Sequence, residues 1–95
     1  MGLDELRPGD SGIIKRIGRL QDAKLRRRLL DMGITSGEKI EVSRYAPFGD
    51  PIEIVVKDYK LAIRRDDAKN IVILTGGEKW LKLLLQETQM LEKQH

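Results

Sequence analysis

Between Tyr45 and Val56 the chain reads YAPFGDPIEIVV, and few stretches this short forbid so much. Pro47 and Pro51 fix φ at their own positions and remove two backbone donors, and they push Ala46 and Asp50 ahead of them toward extended conformations. Gly49 supplies a ready site for positive φ between the two prolines. No helix can run through this segment. Ile52, Ile54 and Val56 then fall on one face of a strand. The segment is a pre-set corner feeding that strand, and in a small barrel it lets the chain pass from one side of the sheet to the other without burying unpaired donors. Phe48 stands at the bend, where Tyr45 and Phe48 either cap the end of a barrel or line a groove for a partner's apolar side chain.

Short strand patterns recur on both sides of the corner. SGIIKRIG (Ser11 to Gly18) follows the turn-like RPGD and places Ile13 and Ile17 on one side of a strand, with Ile14 on the other. ITSGEKIEVSRY closes a turn at Gly37 and enters a strand in which Ile40 and Val42 alternate with polar residues. After Val56 a two-residue turn, Lys57-Asp58 or Asp58-Tyr59, leads back through Leu61 and Ile63 as the second arm of a hairpin. RDDAKNI is too short for a packed helix, but Asp66 can cap a single turn that delivers the chain into the fifth strand, NIVIL. The acid pair Asp66-Asp67 reads as capping rather than acid–base chemistry. Five short strands with one helical turn before the last predict a mainly β domain, a small SH3-like five-stranded barrel.

Two helices join it. Asp22 is a fair N-cap, and Leu25, Leu29 and Met32 recur at helical spacing until Gly33 ends the pattern as a left-handed cap. This helix, between the first and second strands, docks its apolar arc on the sheet while Arg26, Arg27 and Arg28 spread over the remainder. Leu30 lies outside the arc, either simply exposed or part of a contact. At Gly76-Gly77 the sequence changes character, dividing a barrel domain (1–75) from a helical extension (76–95). Trp80, Leu81, Leu84, Leu85 and Leu91 form a stripe too apolar to leave in water, so that helix serves as a lid over the barrel or as a contact with a partner or a second copy.

Taken together, LRPGDSGIIKRIG, RRRLLDMGITSGEKIEV and APFGDPIEIVVKDYKLAIRRDDAKNIVI resemble, in order and spacing, the FeoA family, ferrous iron transport protein A. The resemblance covers residues 3 to about 74. It implies a cytoplasmic SH3-like barrel, related to the C-terminal domain of DtxR-type metal-dependent repressors, that supports bacterial ferrous iron uptake by acting on the FeoB transporter and its cytoplasmic GTPase portion. The chain has no winged-helix DNA reader ahead of the barrel, so the repressor itself is not implied. Asp58 stands where the family often has glycine, which requires a hairpin turn that Asp tolerates. The helix from Gly77 onward lies beyond the family's common core.

The residues limit what such a protein can do chemically. There is no cysteine, and the one histidine is His95 at the C-terminus, so neither a Ser-His-Asp nor a Cys-His arrangement can be built. The glycines of GDSG and TGGEK lack the spacing of a phosphate-binding loop. An enzyme is not expected, nor a cofactor, nor a tight iron site, since Fe²⁺ favours imidazole or thiolate beside carboxylate. A weak surface site at His95 and Glu92 is the remaining metal option. The absence of cysteine, an N-terminal MGLDELRPGD unlike a signal peptide and the lack of a long apolar run favour a cytoplasmic address.

Net charge is +3, yet Lys15 to Arg28 holds seven Lys/Arg against one Asp, so the basic character is one patch. It is a solvated helix face, a dock for an acidic protein surface, a nucleic-acid footprint, or a site of attraction to anionic lipid beside a membrane transporter. RNA-binding small barrels pair basic residues with stacking aromatics, which here make up only 4% of the chain. Protein docking therefore outranks RNA binding. The expected function is that of an adaptor of ferrous iron import with Arg26, Arg27 and Arg28 as steering charges and Leu30, Phe48, Trp80 and Leu84 as apolar contacts. A small-barrel RNA binder and a weak Fe²⁺ sensor are the alternatives.

Overall fold

A computed structural model describes residues 1–75. The element order is β1 (Ser11–Ile17), α1 (Ala23–Asp31), β2 (Lys39–Tyr45), β3 (Ile52–Val56), β4 (Tyr59–Ile63), α2 (Arg65–Ala68) and β5 (Ile71–Leu74), with single 3₁₀ turns at Leu3–Glu5 and Pro47–Gly49. The strands form one antiparallel sheet in the order β4-β3-β2-β1-β5. Beyond β5 the N-terminus adds a further rung: Gly2 bridges Val72, and the Ile73 amide donates to the Met1 carbonyl. The expected extension helix, with Trp80 and Leu84, lies outside the described residues.

Curling the sheet buries one continuous aliphatic core. Ile14, Ile40, Val42, Ile52, Ile54, Val56, Leu61, Ile63, Ile71 and Ile73 point inward, and Leu3 and Leu6 from the N-terminal turn and Leu25, Leu29 and Ile34 from α1 and its exit join them. Each such aliphatic side chain contributes about 1.5–3 kcal/mol on leaving water.

Two bulges decide which residues face inward. Along β1 and β5, Ile14 opposes Ile73 and Arg16 opposes Val72, leaving Lys15 without an opposite number. The bulge brings Ile17 onto the same side as Ile14, so simple alternation, which sets Ile13 with Ile17 and apart from Ile14, is wrong for this strand. Ile17 packs on the core and Ile13 does not. Ser43 is the extra residue in β2, and it turns Tyr45 inward beside Val42.

The helix is capped as its sequence dictates. Asp22 accepts hydrogen bonds from the Lys24 and Leu25 amides. At the other end Gly33, at φ 72°, takes the left-handed position of a Schellman motif. The Ile34 amide reaches the Leu29 carbonyl and the Gly33 amide the Leu30 carbonyl, while Leu29 and Ile34 bury together.

The short turn α2 is built differently from the expectation. Its N-cap is Arg64, which makes no side-chain cap bond, so Asp66 does not cap it. Asp66 faces Lys69 at 3.5 Å. Asp67 is buried and accepts from the Gln21 and Asp22 amides, tying α2 to the loop ahead of α1. A buried carboxylate must find donors, and those two otherwise unpaired amides supply them.

Candidate functional site: the proline-bracketed corner and its basic neighbour

The corner between β2 and β3 contains a β-turn from Ala46 to Gly49, closed by the Gly49 amide on the Ala46 carbonyl at 2.8 Å. Phe48 sits at φ 68°, ψ 9°, the values of the third residue of a type II turn, a position that favours glycine or asparagine. Gly49 is offset by one residue and takes φ 85° itself. The Asp50-Pro51 peptide bond is cis.

Phe48 does not cap the barrel. Its exposure is 107% of the reference value, so the ring stands wholly in solvent. The barrel-end position belongs to Tyr45, which packs on the core and donates its hydroxyl to the Leu6 carbonyl. The difference follows from the Ser43 bulge, which aims Tyr45 inward, and from the turn, which aims Phe48 outward.

Arg65 holds this corner in place. Its guanidinium donates to the Gly49 carbonyl through Nε and to the Asp4 carbonyl through Nη1, lies 4.6 Å from the centre of the Tyr45 ring, and its backbone amide donates to Asp50 Oδ1. The N-terminal turn, the end of β2 and the corner thus meet at one arginine. A planar guanidinium suits this role because it forks to two carbonyls while stacking on an aromatic face. Sequence reasoning missed Arg65, since nothing distinguishes it from Arg64 beside it.

Arg26, Arg27, Arg28 and Leu30 are all exposed on α1, with Leu30 at 59%. Arg26 is tethered to the Gly18 carbonyl. The corner and the basic helix meet in a cleft of about 480 Å³ whose walls include Arg28, Leu25 and Pro51. Pro51 of the corner and Arg28 of the basic helix thus share one cleft, of whose lining Phe48 is not a part. Trp80 and Leu84 fall outside the described residues, as does the pair His95 and Glu92. Among the described residues no three His, Asp or Glu side chains gather as a metal-holding group, and no helix is long and apolar enough to cross a membrane.

The model of the FeoA domain matches residues 1–74. The chain belongs to the FeoA family. It is 39% identical over 74 residues to an Fe(2+) transport protein A/Fe(2+) transporter FeoB fusion protein of Porphyromonas gingivalis, covering 77% of this chain and 8% of that one. Among solved structures, FeoA of Chlorobium tepidum is 38% identical with a TM-score of 0.68, covering 77% of this chain and 68% of that one. FeoA of Stenotrophomonas maltophilia, an SH3 domain protein complexed with zinc, is 28% identical with a TM-score of 0.64 over 78% of this chain and 89% of that one. The FeoA-family barrel is thus SH3-like. A manganese-dependent transcriptional repressor shares the fold alone, at 21% identity and a TM-score of 0.64 over 78% of this chain and 35% of that one.

Proposed function

We propose that this chain is an accessory protein of ferrous iron uptake that acts on the cytoplasmic side of an FeoB-type transporter by protein contact, without chemistry of its own. The observation that carries the reading is the fusion: in the P. gingivalis relative a domain like this one and the transporter are a single polypeptide. Fusion holds two partners at high effective concentration, so even a weak contact is populated. Where the two are separate polypeptides, the domain's own surface must supply that affinity.

The corner and the basic helix suit that task. Phe48 is a rigid, solvent-facing aromatic of the kind that dominates interface energetics once it finds a pocket. Arg26, Arg27 and Arg28 add the charge that steers an acidic partner and speeds encounter. The S. maltophilia relative has been put forward as a ferrous iron transport activating factor, which agrees with an accessory role.

The test is retention of the transporter's cytoplasmic portion by the immobilised chain. Replacing Arg26, Arg27 and Arg28 together by Glu is expected to cut retention about tenfold or more at low salt, with the difference shrinking as salt rises. Equal recovery by wild type and triple variant would mean that the patch is merely solvated. No retention by wild type would remove the adaptor reading.

A further inference from the structure

We propose that the free edge of β4 is a strand-addition site that takes an extended, acidic segment of a partner protein into the cleft beside α1. This goes beyond the adaptor reading, because the edge would serve whichever protein supplies the segment.

The edge follows from the hairpin. Val56 and Tyr59 flank a two-residue turn and pair across it, with Val55 opposite Lys60, Ile54 opposite Leu61 and Glu53 opposite Ala62. In a hairpin of this kind the closing pair exchanges both hydrogen bonds, and the pairs along the ladder then alternate. Val56–Tyr59, Ile54–Leu61 and Ile52–Ile63 are the bonded pairs, so the amides and carbonyls of Lys60 and Ala62 point away from β3. β4 is the end strand of the sheet, and none of these four groups has a partner among the described residues. The opposite end of the sheet is treated differently, since Met1 and Gly2 cover β5. An uncovered row of backbone donors and acceptors is a template for a further strand.

Charge selects the occupant. A cleft opens at the Ala62 end of this edge, and its lining includes Ala62 and Arg64 together with Leu25 and Arg28 of α1. Its acids are already engaged: Asp22 caps α1, Asp67 accepts two loop amides and Asp66 faces Lys69. Arg28 and Arg64 make no ion pair or side-chain hydrogen bond among the described residues, and Lys60 stands exposed on the edge itself. A lysine on an edge strand discourages pairing with apolar or basic strands. An acid placed across from it is favourable. The edge therefore admits an acidic strand and rejects the others.

The probe is a synthetic peptide, acetyl-Thr-Glu-Val-Glu-Val-Thr-amide, titrated into the ¹⁵N-labelled full chain, with its Glu→Lys counterpart as control. Saturable shifts centred on the amides of Lys60 and Ala62, with hydrogen exchange at those two amides slowed about tenfold or more at saturation, are expected for the acidic peptide alone. Arg28→Glu with Arg64→Glu should weaken binding about tenfold, because both side chains are exposed and, among the described residues, make no ion pair or side-chain hydrogen bond that the fold would lose. Ala62→Pro should abolish it, since proline removes one outward donor that the native sheet does not use. If that variant fails to fold, the charge-reversal pair decides. Absent shifts on β4, or equal binding of the lysine peptide, would overturn the proposal. So would β4 shifts in the free protein that grow with its concentration, which would assign the edge to a second copy. Cross-peaks from β4 to residues 76–95 would assign it to the chain's own C-terminal segment and overturn the proposal as well.

Discussion

Two turns in this barrel force side-chain-bearing residues into the left-handed region, and they do so for different reasons. In the β3–β4 hairpin Lys57 and Asp58 take φ 50° and 68°, the pattern of a type I′ turn, whose twist matches the strands it joins. Glycine would serve at the second position, but Asp enters this region at modest cost. The conformation there is what a tight hairpin needs. At the corner Phe48 takes nearly the same φ in a type II turn while burying nothing. A bulky aromatic in a glycine position, wholly in solvent, is not explained by folding. Backbone strain without a structural return points to function.

The largest expected effect in that comparison lies with the residue that pins the corner. Arg65→Ala removes two charge-assisted hydrogen bonds to carbonyls and the stack on Tyr45, and should cost about 2–3 kcal/mol by urea unfolding. Hydrogen exchange should accelerate at Gly49 and stay unchanged in β3 and β4 on either side of the hairpin turn. Acceleration of both alike would mean that the two turns share their support, contrary to the contacts of Arg65.

Phe48→Gly separates the two explanations directly. Relief of left-handed strain, about 1–2 kcal/mol, is partly offset by the extra entropy of an unfolded glycine, about 0.5–1 kcal/mol. The variant should therefore fold as well as wild type or slightly better. Retention of the transporter's cytoplasmic portion should fall about tenfold or more, the loss typical of an interface anchor. A variant both less stable and fully competent to bind would return Phe48 to a structural role.

Much of this architecture was legible in the sequence. Strand positions at Ile40 and Val42, at Ile52, Ile54 and Val56, and at Leu61 and Ile63 follow from alternation, because each of those runs is paired without interruption where it matters. The helix was legible at both ends, since Asp22 and Gly33 act through local hydrogen bonds that need no tertiary information. What escaped reading depended on distant partners. The bulges at Lys15 and Ser43 exist only relative to β5 and β3, and they alone decide that Ile17 and Tyr45 face inward. Asp67 was misread for the same reason: its donors are two amides more than forty positions earlier in the chain. The corner was legible as a corner, but the direction of Phe48 was not, because proline and glycine fix where a chain bends and leave open which face the intervening side chain takes.

The hairpin turn supplies the smallest effect and the control for the others. Asp58→Gly places the residue that the type I′ geometry favours at its second position, and the gain is limited because Asp already tolerates it. About 0.5 kcal/mol of added stability is expected, which for a domain of this size is a rise of roughly 2–4 °C in Tm. The substitution changes the formal charge by one at the opposite end of β3 from the corner, so retention of the partner should match wild type. The pair Asp58→Gly and Phe48→Gly thus carries the comparison to its end: both place glycine at a left-handed position and neither should weaken the fold, but only the second should cost the protein its contact. If Asp58→Gly alone reduced retention, the hairpin tip rather than the corner would be the surface that meets the partner.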